Sequence, residues 1–223
     1  MRPTHLFTLL AALLLAILWI SPAHGQIRTL KEKVRSGHTL FHMYRCVNCH
    51  TVLGKGGKAG PDLTRITVWA SPILGAAVMW NHVPLMSKAM KKRKFPWPKF
   101  KGEDIGDLFT YLHSLNRRKG AIFAFRGKAH IGKELFAGIG CQTCHGKPFT
   151  GGSIGPDLGR IAWRLKNENE FATRMLRHAP HMIGVAKRAG LIWPNLTGNE
   201  IANIYVYLQT LKRLKSPDQA KSK

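Results

Sequence analysis

Cysteine is scarce in this 223-residue chain. There are four, and none lies outside two short clusters. No thiol is left over for a nucleophile or for the disulfide framework that holds many small exported domains together. Acidic residues are scarce as well. Eleven Asp and Glu stand against thirty-five Lys and Arg, a formal charge of +24. A field of that sign steers a protein towards acidic surfaces or anionic headgroups and makes association depend on salt. It would also hold nucleic acid without sequence preference. The hydrophobic fraction of 44% is that of an ordinary globular chain, so the charge does not signal disorder.

The four cysteines stand in Cys46-Val47-Asn48-Cys49-His50 and Cys141-Gln142-Thr143-Cys144-His145. C-x-x-C-H is the spacing at which two thiols add across the vinyl groups of a heme while the adjoining His becomes an axial ligand of the iron. A zinc site would need the two pairs drawn together around one ion. A redox dithiol would need a βαβ setting, and the surrounding sequence reads as helical and Gly-punctuated. Two copies in matched surroundings favour two covalently attached hemes of the c type.

At the N-terminus, Arg2 and His5 precede an apolar run over 6–20, followed by Ser21, Pro22, Ala23, His24 and Gly25. These are the three parts of a secretory signal, with Ala23 and Gly25 as the small residues before a cut at Gln26. The run is short for a spanning helix, which needs about 20 residues, so an uncleaved anchor is the lesser alternative. Export to the periplasm also argues against a nucleic-acid role.

The chain repeats itself. Gly37, Leu40 and Phe41 before the first motif recur as Gly132, Leu135 and Phe136, and Gly60-Pro61-Asp62-Leu63 recurs as Gly155-Pro156-Asp157-Leu158. Arg65 has its counterpart in Arg160. Farther on, Met79, His82, Pro84, Met86, Trp97 and Pro98 recur as Met175, His178, Pro180, Met182, Trp193 and Pro194. The expected division is a signal over 1–25, one domain over 26–118, a second over 119–215 and a basic tail over 216–223. In each half the last segment, 103–115 or 199–211, carries Ile105, Leu108, Leu112 and Leu115, or Ile201, Ile204, Leu208 and Leu211, on one helical face.

Each half resembles a class I cytochrome c over nearly all its length, and the pair resembles the tandem diheme arrangement of the cytochrome c4 type. The resemblance implies an all-α fold of two tandem domains, each wrapped around one covalent heme. It implies that the first and last helices of each half cross closely, with Gly37 and Gly132 making room for Tyr111 and Tyr207. It also implies that the carbonyls of Pro61 and Pro156 accept the Nδ1 hydrogen bonds of His50 and His145. Arg65, Arg160 and the Trp residues are candidates to contact heme propionates, with simple packing the alternative for each Trp.

One feature departs from the family. Where many members carry a Met-Pro before the last helix, this chain has Trp97-Pro98 and Trp193-Pro194, and Trp cannot ligate iron. The repeat offers Met86/Met182, Met79/Met175 and His82/His178 as sixth ligands. Met79 and Met175 fall in apolar helical stretches (73–80 in the first half), where Met is commonly filler. Met86 and Met182 follow a Pro that reads as a break, and Met/His ligation suits a carrier, so these two are the expected ligands.

The function expected is a periplasmic, diheme, single-electron carrier rather than an enzyme. Its partners would be acidic-surfaced redox proteins, a membrane oxidoreductase or terminal oxidase, or an anionic membrane surface, with no specific nucleic acid. The alternatives are a cytochrome subunit of a larger oxidoreductase, or a diheme enzyme of the peroxidase or thiosulfate-oxidising kind. Lys91-Lys92-Arg93-Lys94, present only in the first half, would be a docking patch or a solvated loop.

Overall fold

The computed structural model describes residues 28–116 and 126–212. The expected signal, the basic connection after Asn116 and the expected C-terminal tail lie outside the described residues. Within them the chain forms eight α-helices and one small hairpin, and no helix is long and apolar enough to cross a membrane.

The first half runs α1 (Leu30–Met43), β1 (Thr51–Val52), β2 (Lys55–Gly56), α2 (Pro72–Lys92) and α3 (Asp104–Leu115). The second runs α4 (Ala129–Gly138), α5 (Cys141–His145), α6 (Leu158–Ile161), α7 (Glu168–Arg188) and α8 (Gly198–Lys212). Local sequence starts several of these. Thr29 and Glu32 close a reciprocal capping box on α1, and Ser71 and Asn167 accept the Leu74 and Glu170 N–H groups at the starts of α2 and α7. The strands pair antiparallel, Thr51 opposite Gly56 and Val52 opposite Lys55. The turn between them uses positive φ at both Leu53 and Gly54.

In each half the first and last helices cross at a glycine. A Cβ on Gly37 would lie 2.1 Å from the Asp107 carbonyl oxygen and 2.6 Å from Tyr111 Cβ; on Gly132 it would lie 2.0 Å from the Asn203 oxygen and 2.8 Å from Tyr207 Cβ. Only a residue without a side chain lets the backbones approach so closely. The apolar faces expected of the last helices are the buried ones, with Ile105, Leu108, Leu112, Ile201, Ile204, Leu208 and Leu211 all in the core.

The structure corrects the expected break at Pro84 and Pro180. Both prolines lie inside uninterrupted 21-residue helices. A helix-interior proline cannot bond the carbonyl four residues back, a loss of about 3 kcal/mol or more together with the ring clash. Those carbonyls belong to Trp80 and Leu176, and each is taken up from the other half. Trp193 Nε1 donates to the Trp80 oxygen at 3.2 Å, and Trp97 Nε1 donates to the Leu176 oxygen at 3.0 Å. The two bonds are related by the internal repeat, so α2 and α7 pack against each other with pseudo-two-fold symmetry.

The rest of this interface is less symmetric. The Trp80 and Trp193 rings stack at 4.0 Å and 26°, and Trp80 Nε1 donates to the Pro194 oxygen at 2.9 Å. Asn81 exchanges two bonds with the Leu196 backbone. Thr173 donates to the Gly102 carbonyl, and Asn169 donates to Glu103.

Candidate functional site

The chain enters both C-x-x-C-H motifs through a left-handed residue, Arg45 (φ 61°) in the first half and Gly140 (φ 89°) in the second. Cys46–Asn48 then form a single 3-10 turn, and Cys141–His145 form α5. A helical turn of this length sets both cysteines and the histidine around one side of a short cylinder. None of the four cysteines is in a disulfide. Burial pushes the Cys46 thiol up to about 12 and the Cys141 thiol up to about 11. A redox dithiol lowers the pKa of its attacking cysteine, so these thiols are shifted the wrong way for exchange chemistry. Among the described residues no group of three or more His, Cys, Asp or Glu side chains gathers as a metal cage, so the two pairs do not share one ion.

Each motif histidine is held from behind. His50 Nδ1 lies 3.1 Å from the Pro61 oxygen, and His145 Nδ1 lies 2.8 Å from the Pro156 oxygen. A carbonyl can only accept, so Nδ1 carries the proton and Nε2 keeps its lone pair. Burial lowers the His50 pKa; the Pro61 bond opposes this, and the charge of His82 adds to it. The ring therefore favours its neutral, ligating form. The glycines preceding these prolines are required by the rings themselves. A Cβ on Gly60 would stand 2.4 Å from His50 Cε1, and one on Gly155 would stand 2.7 Å from His145 Nδ1. Two thiols and an imidazole with a fixed tautomer, in each half, fit the attachment of a heme and one axial ligand.

Asp62 and Asp157 complete the Gly-Pro-Asp-Leu segments. Asp62 accepts the Gly54 and Thr64 N–H groups and the Thr64 hydroxyl. Asp157 accepts four backbone N–H groups, from Phe149, Gly151, Gly159 and Arg160. Each ties the loop after the heme motif to the turn that follows the proline. For Asp157 burial pushes the pKa up, but the four donors outweigh it and the carboxyl sits below its ordinary value. For Asp62 the Thr64 hydroxyl is the main cause of a downward shift. Reading the repeat by itself gave these residues no role, although an Asp ahead of a short helical turn is a cap signal.

The other sequence candidates fall as follows. Arg65 and Arg160 are both exposed; Arg160 pairs loosely with Asp157 at 3.5 Å. Trp97 and Trp193 spend their indole N–H groups on backbone carbonyls of the opposite half, a role that sequence could not supply because the partners are 79 and 113 residues away. Met79, His82 and Met86 share one side of α2, and Met175, His178 and Met182 share one side of α7, each set spaced i, i+3, i+7. The cluster Lys91 to Lys94 is exposed, and it borders an open groove lined by Met90, Lys91, Lys94, Phe95 and Trp97. The Arg45 guanidinium lies 4.7 Å over the Phe95 ring.

Compared with known families, the chain matches cytochrome c twice, over residues 34–116 and 129–212. The chain belongs to the cytochrome c family. It is a tandem of two such domains, which bind two covalently attached hemes and serve heme-based electron transfer. No curated protein and no solved structure matches it.

Proposed function

We propose that this tandem cytochrome c is a periplasmic single-electron carrier. One heme would be held by Cys46, Cys49 and His50, and the other by Cys141, Cys144 and His145. The observation that carries this reading is the duplicated His–Pro carbonyl pair, 3.1 and 2.8 Å, which fixes the same tautomer in both halves. The hemes supply the one-electron chemistry. Pro61 and Pro156 hold the histidines in the ligating tautomer and orientation, and the glycines before them leave space for the rings. Sixth ligands would come from the donor strips on α2 and α7, the sequence expectation being Met86 and Met182. Arg65 and Arg160, being exposed, would reach propionates only at the rim of their sites.

The packing of α2 on α7 supports rapid exchange of electrons between the halves. The charge of +24 supports an acidic-surfaced redox partner or a membrane oxidoreductase, with Lys91, Lys92, Arg93 and Lys94 beside the groove as the point of docking. Anionic lipid would also attract this surface. The N-terminal apolar run supports export.

The test is to isolate the protein with its hemes, count them by pyridine hemochrome, and follow its oxidation by acidic and basic acceptor proteins. Two hemes per chain are expected, with a fast reaction towards the acidic acceptor that slows steeply as salt rises. A ferrous heme that takes up carbon monoxide at once would point instead to an open iron and an enzyme.

A further inference from the structure

The strips on α2 and α7 can be narrowed to one donor each, given the heme assignment proposed above. What separates the candidates is their second partner. His82 Nδ1 lies 2.7 Å from the Val78 oxygen, and His178 Nδ1 lies 2.9 Å from the Arg174 oxygen. Each carbonyl is one helical turn back on the same helix. Since it can only accept, Nδ1 holds the proton and Nε2 is left with a free lone pair. This is how a metal-ligating imidazole is fixed in tautomer and orientation. His50 and His145 show the same arrangement, with Pro61 and Pro156 supplying the carbonyl. Both helical rings are exposed on the protein surface, so packing does not use them up.

The methionines are either packed away or unlike between the halves. Met79, Met175 and Met182 pack against the hydrophobic core, where a thioether serves as an adaptable filler. Met86 does not share that packing, so its repeat partner Met182 sits in a different setting. Met79 and Met175 are alike but both are taken up in packing, and Met86 and Met182 are unlike. The histidines are therefore the one candidate pair that is alike in both halves and not spent on the core.

We propose that Nε2 of His82 and of His178 are the sixth ligands, so that both hemes are bis-histidine. A bis-histidine iron has a lower reduction potential than a His/Met one. The chain would then deliver electrons at low potential, and Met86 and Met182 would not be ligands.

The test uses the full chain with its hemes attached. A hemochrome count of two is expected. Fewer than two would overturn the heme assignment and this proposal together. With two hemes present, the ferric protein should lack the weak far-red band of thioether-ligated heme, and the ferrous protein should resist carbon monoxide. His82→Ala and His178→Ala should each open one heme of the two to carbon monoxide. The pair Met86→Leu with Met182→Leu should leave the spectra unchanged. Should the alanine variants fold poorly, His82→Met should instead give one heme the far-red band and a raised midpoint potential. A far-red band in the unaltered protein that disappears in Met86→Leu or Met182→Leu would overturn the ligand proposal alone, as would His82→Ala with an unaltered spectrum.

Discussion

The two halves agree at the helix crossings and at the heme-motif imidazoles, and diverge in the loops that meet solvent. Gly37 and Gly132 sit at equivalent helix crossings, and Gly60 and Gly155 sit against equivalent imidazoles. The loops leaving the long helices share a left-handed residue but little else. It is Lys94 (φ 55°) in the first half and Gly190 (φ 69°) in the second. Around Lys94 the loop is basic, whereas beyond Gly190 come Leu191 and Ile192, the latter 92% exposed. The entry to the heme motif repeats the exchange, with Arg45 opposite Gly140. The trade is not one-way, because the second half places Phe149 at positive φ where the first has Gly54. Geometry therefore fixes the backbone at these points, and what the side chain meets decides the residue, solvent for Arg45 and Lys94 and the core for Phe149.

The strongest way to break the comparison is to overfill the crossings. Gly37→Ala and Gly132→Ala each press a methyl onto a backbone carbonyl, at 2.1 and 2.0 Å. Helix backbones cannot yield as a side-chain tip can, so a loss of about 3 kcal/mol or more is expected from each. Denaturant unfolding should show near-equal losses. A loss from one alone would mean that the halves are not built on the same crossing.

The Trp–carbonyl bonds give a sharper test. Trp193→Phe and Trp97→Phe each leave unpaired a carbonyl that a helix proline already deprives of its usual donor, a cost of about 1–3 kcal/mol. In a Pro84→Ala background, the alanine N–H restored at that position can donate to the Trp80 carbonyl, so the indole bond of Trp193 becomes redundant and its loss should cost less. The same should hold for Trp97 with Pro180→Ala. The double-mutant cycle separates this coupling, about 1 kcal/mol, from the ring packing lost in either background. Because Trp80 stacks on Trp193 and Leu176 offers no such ring to Trp97, Trp193→Phe should be the costlier single change.

These bonds also mark the limit of what sequence could disclose. The heme motifs were legible because covalent attachment demands a fixed spacing. The glycine crossings were legible because the repeat placed Gly and Tyr in register with a family pattern. The duplication followed from the repeat, and the all-helical fold from the resemblance to class I cytochrome c. Pro84 and Pro180 misled because the local rule for proline assumes that no outside donor will serve the orphaned carbonyl. Here an indole from the opposite half does. Trp97 and Trp193 looked like vacated ligand positions for the same reason: their partners become neighbours only when α2 lies on α7. Met86 and Met182 were the expected ligands because Pro84 and Pro180 read as breaks. The helices run through both prolines, so Met79, His82 and Met86 share one side and hydrogen-bond geometry is what distinguishes them.

Asp62 and Asp157 differ in how many backbone groups depend on them. Asp157 holds four N–H groups and Asp62 two, so Asp157→Asn should destabilise more than Asp62→Asn, by about 2 kcal/mol against about 1. Both carboxyls are depressed below their ordinary value. Their contribution is thus complete above the unfolded pKa of about 3.9 and fades as pH falls towards the folded value. Acid titration of stability should be steeper in the unaltered protein than in Asp157→Asn.

The smallest effect belongs to the left-handed pair. A side chain at positive φ costs about 1–2 kcal/mol, which glycine avoids while giving up some backbone entropy. Lys94→Gly should stabilise the first half by up to about 1 kcal/mol, and Gly190→Lys should destabilise the second by about as much, both read from thermal unfolding. If Lys94 is kept for docking, the more stable Lys94→Gly protein should react more slowly with an acidic acceptor at low salt. Gly190→Lys should not slow that reaction, and a second cation there should leave it unchanged or faster. Equal rates for Lys94→Gly and the unaltered protein would mean that the strain at Lys94 serves something other than partner binding.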